Sequence, residues 1–311
     1  MKRTSEQNDT YDVLNNFAEE DRPRMKELWE LSHRYAPEPE EVISEDEMES
    51  ALQKVHQRME SSGENGTSIL PLWSKWVAAA AAALLLIVSG YLIIPQTVSV
   101  PYGEMATLEL RDGTRVELNS GSELTFSRAF PYFGRDVSLD GEAFFRVERD
   151  DKTEFKVIAN DAVVEVTGTD FNVRSWSEEP DRQTEVSVAS GSVRLYPSQQ
   201  RADGVQLTSG MWSRWSPEME RPAEPKEIAE EYISGWRENR FIFDNKPLWK
   251  IFREIERRFD IRIQIEEEEI ARQSLTTYYN DPQDVRTILE DISRIKGLRY
   301  SETANGYRVY R

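Results

Sequence analysis

An uncharged run from Val77 to Ile94, VAAAAAALLLIVSGYLII, constrains this chain more than any other feature. Wound as an α-helix at ~1.5 Å per residue, its 18 residues rise roughly 27 Å, close to the depth of a bilayer's hydrocarbon core. Trp73 and Trp76 stand at one edge and Tyr91 near the other, where an interfacial aromatic belt would lie. Pro95 ends the helix. A secretory leader would begin near residue 1, whereas about 75 residues precede this run. A buried core helix would carry an amphipathic stripe, and none is present. The run therefore predicts one transmembrane helix over residues 73–95, with the lipid bilayer as its partner.

Flanking charge orients it. Lys75 adjoins the N-terminal edge, with Lys54 and Arg58 behind it, and beyond the run no Lys or Arg occurs until Arg111. The positive-inside rule then places the N-terminus in the cytoplasm and the remainder of the chain across the membrane.

Composition narrows the chemistry. A net charge of −18 over 311 residues argues against direct nucleic-acid binding, which needs a basic surface. With no cysteine there is no disulfide framework, thiolate nucleophile or cysteine zinc site. The two histidines, His33 and His56, both precede the span, so no Ser/His/Asp triad can form beyond it. No glycine-rich phosphate loop opens a helix, and no carboxylate pair stands out among many. The expectation is a non-enzyme without metal or cofactor.

The first 75 residues hold 9 Lys/Arg and 17 Asp/Glu, a net of 9 − 17 = −8. Three short helices are expected. One lies near Val13, Leu14 and Phe17. A second is capped by Asp21 and carries Met25, Leu28, Trp29 and Tyr35. A third has Ser44 and Glu47 at capping-box spacing, then Met48, Leu52, Val55 and Met59 on one face. So small a unit buries little surface alone. It reads either as a self-contained bundle or as one completed by a partner. Seven carboxylates between Glu38 and Glu49 read as a solvated linker or as steering toward a basic partner.

Beyond the span the apolar period becomes two. Leu108/Leu110, Val116/Leu118, Leu124/Phe126, Val137/Leu139, Phe145/Val147, Phe155/Val157, Val164/Val166, Phe171/Val173, Val186/Val188 and Val193/Leu195 read as around ten strands. Asp112-Gly113, Asp140-Gly141, Asn160-Asp161, Gly168 and Gly191 read as the turns between them. This predicts an all-β domain over 98–215, sandwich or solenoid. Residues 216–236, rich in Pro and Glu, read as a linker.

From 237 to 311 the pattern becomes α+β. Phe241 and Phe243 begin a strand. Pro247 starts a helix with Leu248, Ile251, Phe252, Ile255 and Phe259 on one face. Ile261/Ile263/Ile265 and Leu275/Thr277/Tyr279 alternate as strands. Val285, Ile288, Leu289 and Ile292 mark a second helix with Gly297 as its C-cap, and a closing pair of strands turns at Asn305-Gly306. The order reads βαβ, then βαβ with a closing strand. Trp236, Phe241 and Phe243 read as core packing rather than a binding surface.

Several segments in order resemble the FecR (ferric citrate regulator) family of anti-sigma factors. They are PYGE at 101–104 with Gly103, LRDGTRV at 110–116 with Asp112 and Gly113, LNSGS at 118–122, and LDGEAFFRV at 139–147 with Gly141, Glu142 and Phe145. FKV at 155–157, GTDFNV at 168–173 with Gly168 and Phe171, and SGSV at 190–193 follow. The run from Gly235-Trp236-Arg237 through Phe241, Phe243, Pro247 and Leu248 is similar to the C-terminal domain of FecR-like proteins. That domain is similar in turn to the short signalling domain of secretins and TonB-dependent transducers.

The resemblance implies a cytoplasmic anti-sigma domain over 1–72 that binds an extracytoplasmic-function sigma factor. Leu28, Trp29, Met48, Leu52 and Val55 are the candidate anchors. It implies an inner-membrane, single-pass protein whose periplasmic part receives a signal from the signalling domain of a TonB-dependent outer-membrane receptor, with regulated proteolysis by a membrane protease. In this family the Glu142 motif looks structural rather than catalytic. The competing reading is a periplasmic carbohydrate- or envelope-binding module merely anchored by the helix.

Overall fold

The computed structural model describes residues 45–61 and 72–311. The chain divides after Val77 into two compact units, each described by itself.

In the first unit the described element is α1 (Glu45–Ser61), and Ser44, the expected cap, lies outside the described residues. Met48, Leu52 and Val55 fall one turn apart along it and are 56, 55 and 54% exposed. Among the described residues nothing covers this apolar row. The helices expected near Val13 and after Asp21, with Leu28 and Trp29, lie outside the described residues.

Helix α2 (Leu72–Ile93) carries the apolar run and straddles the division between the units. Leu84 to Ile87 are all well exposed along it. Among the described residues no helix is long and apolar enough to cross a membrane.

Strand β1 (Pro95–Ser99) begins two residues after α2 ends. Then come β2 (Ala106–Glu109), β3 (Arg115–Leu118), β4 (Glu123–Ser127) and a long β5 (Arg135–Arg146). They are followed by β6 (Phe155–Ala159), β7 (Ala162–Val166), β8 (Asp170–Ser175), β9 (Thr184–Ser190), β10 (Ser192–Pro197), β11 (Val205–Thr208), β12 (Met211–Trp215) and β13 (Lys226–Glu227). All pairings here are antiparallel except β5 with β6.

The region is organised by β5, which belongs to two sheets. Its first half pairs with β4 and β6, and its second half with β3 and β8. The sheets β1-β4-β5-β6-β7-β10-β11 and β2-β3-β5-β8-β9-β12-β13 curl around one core as a half-barrel. Phe145 on β5 stacks on Phe171 of β8 at 5.2 Å and tilts against Phe155 of β6 at 6.0 Å. Such pairs add roughly 0.5–1.5 kcal/mol each beyond their area.

Asp140-Gly141, expected as a turn, instead lies inside β5, at the point where the strand passes from one sheet to the other. Gly141 has φ 135°, and a Cβ there would stand 2.5 Å from the Ser122 side chain. Only glycine permits that crossing.

The connecting stretch after β13 holds α3 (Glu230–Ser234) and a 3₁₀ turn over Gly235–Glu238. Then come β14 (Arg240–Pro247), α4 (Leu248–Phe259), β15 (Arg262–Ile265), α5 (Glu268–Arg272), β16 (Ser274–Asn280), α6 (Val285–Lys296), β17 (Arg299–Thr303) and β18 (Gly306–Tyr310). Pro247 holds the N-cap position of α4, and Gly297 caps α6 in the left-handed conformation at φ 65°. The order is the expected βαβ, then βαβ with a closing strand, with short α5 between the two, and the strands form two small sheets, β14-β16 and β15-β18-β17. A second core gathers Phe241, Phe243, Leu248, Ile251, Phe252, Ile255, Ile288, Leu289 and Ile292.

Candidate functional site

Period-two reading turns Phe171 and Val173 of β8 inward, which sends Asn172 and Arg174 to the outer face. Simple alternation would leave that face to water. Here α4 and the Trp236 turn cover it, and Asn172 and Arg174 are under 9% exposed.

Glu142 on β5, 7% exposed, starts a chain of hydrogen bonds across the junction. Its Oε2 accepts from Asn119 Nδ2 at 2.8 Å and its Oε1 from Asn172 Nδ2 at 3.0 Å. Asn172 Oδ1 accepts in turn from the Trp236 indole N–H at 3.0 Å. Trp236 packs with Phe144 and Ile233 in a small apolar cluster of its own. The neighbouring Arg237 makes a bidentate pair with Glu117 at 2.7 and 2.6 Å and lies over the Phe144 ring at 4.3 Å.

Helix α4 supplies the charged half of the junction. Lys250, Glu254 and Arg257 recur at i, i+4 and i+7, one stripe opposite the apolar face. Arg257 reaches Glu179 at 3.1 Å, lies 3.9 Å over the Trp176 ring and donates from its guanidinium to Glu178 at 3.4 Å. Glu179 also takes a bidentate pair from Arg174, at 3.0 and 2.6 Å. Lys250 pairs with Asp181 at 2.7 Å and donates to Gln183 at 3.2 Å. Lys246, at the end of β14, bonds both oxygens of Glu185 at 2.9 and 3.0 Å. The Gly103 N–H donates to the Arg257 carbonyl at 2.8 Å, fixing the PYGE turn against the last turn of α4.

These contacts set the titration of the junction. Burial works against the charge on Glu179, and Arg174, Arg257 and Lys250 overcome it and hold its carboxyl below the usual range. Burial also opposes the charge on Glu185, but Lys246, Arg174 and Lys250 draw it down to about 2. Glu254 goes the other way. Burial first, then the nearby Glu142 carboxylate, push it up to about 7 against the pull of Arg174, Arg257 and Lys246. A cavity of about 420 Å³ opens along this junction, lined among others by Glu142, Arg174, Trp212, Trp236, Lys246 and Glu254. Among the described residues no group of His, Asp and Glu is placed to hold a metal ion.

The residues singled out in the sequence divide into three groups. Gly103, Glu142 and Trp236 meet at the junction. Phe145 and Phe171 fill the first core, and Phe241, Phe243 and Leu248 the second. Asp112 and Gly113 build a turn at the edge of the half-barrel, where Asp112 caps the Thr114 N–H at 3.0 Å and pairs with buried Arg135 at 2.7 Å. Gly168 lies in the connection between β7 and β8. Arg174, Glu179, Glu185, Lys246, Lys250 and Arg257 were not legible as a set, although the α4 stripe was present in the sequence.

Two stretches match family models: residues 96–194 match that of the FecR protein, and residues 240–310 that of the FecR C-terminal region. Two crystal structures of a candidate anti-sigma factor from Parabacteroides distasonis ATCC 8503, at 2.50 and 1.65 Å resolution, share the fold with TM-scores of 0.64 and 0.63. Each is 24% identical, and each alignment covers 70% of this chain and 99% of that one. No curated protein matches the chain.

Proposed function

Because the chain belongs to the FecR family, we propose that it is a single-pass anti-sigma regulator of the inner membrane. In this reading α1 and the helices expected before it hold an extracytoplasmic-function sigma factor in the cytoplasm. Helix α2 crosses the bilayer, and the β and C-terminal regions receive a signal in the periplasm from the signalling domain of a TonB-dependent receptor. A membrane protease then acts near the span to release the sigma factor.

One observation carries the reading. The C-terminal region is tied through Trp236, Asn172 and Glu142 to β5, the strand that both sheets share. Strand β1 of the same half-barrel begins two residues after α2 ends, leaving little slack between sheet and helix. A ligand that shifts the C-terminal region therefore has a short, continuous mechanical route to the helix. On the other side, the uncovered row Met48, Leu52 and Val55 offers an apolar surface on an acidic segment, which suits a basic partner.

The test is co-purification of the full-length chain in detergent with the candidate sigma factor. A stable complex is expected, lost when Leu52 and Val55 are both replaced by Asp. No binding at micromolar concentrations would remove the anti-sigma reading.

A further inference from the structure

The connection between β4 and β5 carries Tyr132 and Phe133, which are 82 and 86% exposed. Looseness does not explain their exposure. Phe130 lies 2% exposed beneath them against Phe126 and Phe155. The Tyr132 N–H donates to the Ala129 carbonyl at 2.8 Å, and the Gly134 N–H to the Pro131 carbonyl at 3.3 Å. A held turn thus presents two aromatic rings outward.

Its position is fixed by strand register. Pro95, the first residue of β1, pairs with Ser127, the last of β4, so the turn projects past the strand ends on the side where α2 arrives. Contact confirms this. The Arg128 guanidinium lies over the Tyr91 ring at 4.8 Å and donates to its hydroxyl at 3.1 Å. Arg111 donates to the Arg128 carbonyl at 3.0 Å. Neither arginine has a carboxylate partner among the described residues. The adjacent Arg135 is committed to Asp112.

Resting on the reading that α2 crosses the bilayer, we propose that this turn docks on the membrane. Tyr132 and Phe133 lodge at the headgroup–acyl boundary of the leaflet that α2 leaves, and exposed Arg111 faces lipid phosphates. Aromatic rings favour that boundary, and arginine gives planar, bidentate phosphate contacts. Two anchors, helix and turn, would fix the tilt of the half-barrel on the membrane, where one helix alone leaves it free to swivel.

The chain has no cysteine, so a single introduced one takes an environment-sensitive fluorophore cleanly. Full-length protein carrying Tyr132→Cys or Phe133→Cys would be reconstituted in phosphatidylcholine–phosphatidylglycerol vesicles containing lipids spin-labelled at shallow or deep positions. Ala82→Cys reports on the span. Ser301→Cys, exposed on the C-terminal region, reports on water. The expected result is blue-shifted emission at 132 and 133, quenched several-fold more than at 301 and most strongly by the shallow label, with position 82 quenched by the deep one. Water-like emission at 132 and 133 with deep quenching at 82 would overturn the docking and leave the span standing. Blue-shifted emission without lipid quenching would mean that a protein surface, such as a second copy of the chain, covers the turn, and would also overturn it. Absence of quenching at 82 as well would remove both readings.

Discussion

The Trp236 indole N–H reaches the Asn172 side chain at 3.0 Å, joining the turn that leads into the C-terminal region to β8, the strand of the GTDFNV motif. The two are 64 residues apart in sequence, and each sits buried. Trp236 gives the contact its apolar mass and Asn172 gives it direction, because the same amide also donates to Glu142.

Trp236→Ala is expected to cost about 3–5 kcal/mol, the usual loss for a large buried aromatic. Asn172→Ala should also destabilise, by leaving the indole N–H and one Glu142 oxygen unmatched. Together the two should be non-additive, with a coupling of roughly 0.5–3 kcal/mol, as for residues in one hydrogen-bonded network. Chemical denaturation of the four proteins of the cycle measures it. Simple additivity would mean that the bond contributes nothing to holding the two regions together.

Glu179 is the centre of the charged half of the junction, bonded to both Arg174 and Arg257. Glu179→Ala leaves two buried guanidinium groups short of a partner and is expected to cost about 3–5 kcal/mol. Glu178→Ala makes a matched control. Its side chain is 45% exposed and its contact to Arg257 is long, 3.4 Å, so a loss within about 1 kcal/mol is expected. Equal effects in denaturant titrations would show that burial does not govern these pairs.

Much of this architecture was legible in the sequence. Alternation located the strands from Leu108 to Leu195, and the 3.6-residue period located α4 and α6 with their caps, because each element has one apolar side. What could not be read was which polar faces become buried. Asn172 and Arg174 carry the pattern of a solvent face, and the docking of α4 and of the Trp236 turn over β8 and β9 changes their surroundings. Glycine misled at Gly141, whose positive φ serves a strand crossing rather than a turn. Pro95 marked the end of α2 correctly, yet the strand that begins at the same residue went unseen because proline argues against strand interiors. The sheet order escaped for a similar reason, since period two says nothing about which strand β5 meets on either side.

The pH dependence of the junction should carry an unusual sign. Glu185, drawn down to about 2, contributes stability that is present above the ordinary carboxylate pKa of 4.5 and lost as pH falls toward 2. Glu254, pushed up to about 7, binds its proton more tightly folded than unfolded. Its contribution is complete below pH 4.5 and disappears as pH rises through about 7. Between those values the folded protein should therefore lose stability with rising pH, and Glu254→Gln should flatten that slope. Unfolding free energies measured across the window decide it. A slope unchanged by the substitution would place the proton on another group.

The apolar row of α1 gives the last prediction. Met48, Leu52 and Val55 are each more than half exposed, so replacing them costs the fold little. Leu52→Asp with Val55→Asp should leave the melting of the half-barrel unchanged, because α1 belongs to the other compact unit. The same pair of changes should weaken sigma-factor capture at least tenfold, which corresponds to ~1.4 kcal/mol. Two acidic residues also repel an acidic binding site and attract a basic one, so Leu52→Ala with Val55→Ala is the necessary companion. Weakening by both pairs identifies lost apolar contact as the cause. Weakening by the Asp pair alone identifies charge. Full capture by both would place the sigma-binding surface elsewhere in the chain and leave this row of α1 without a role in it.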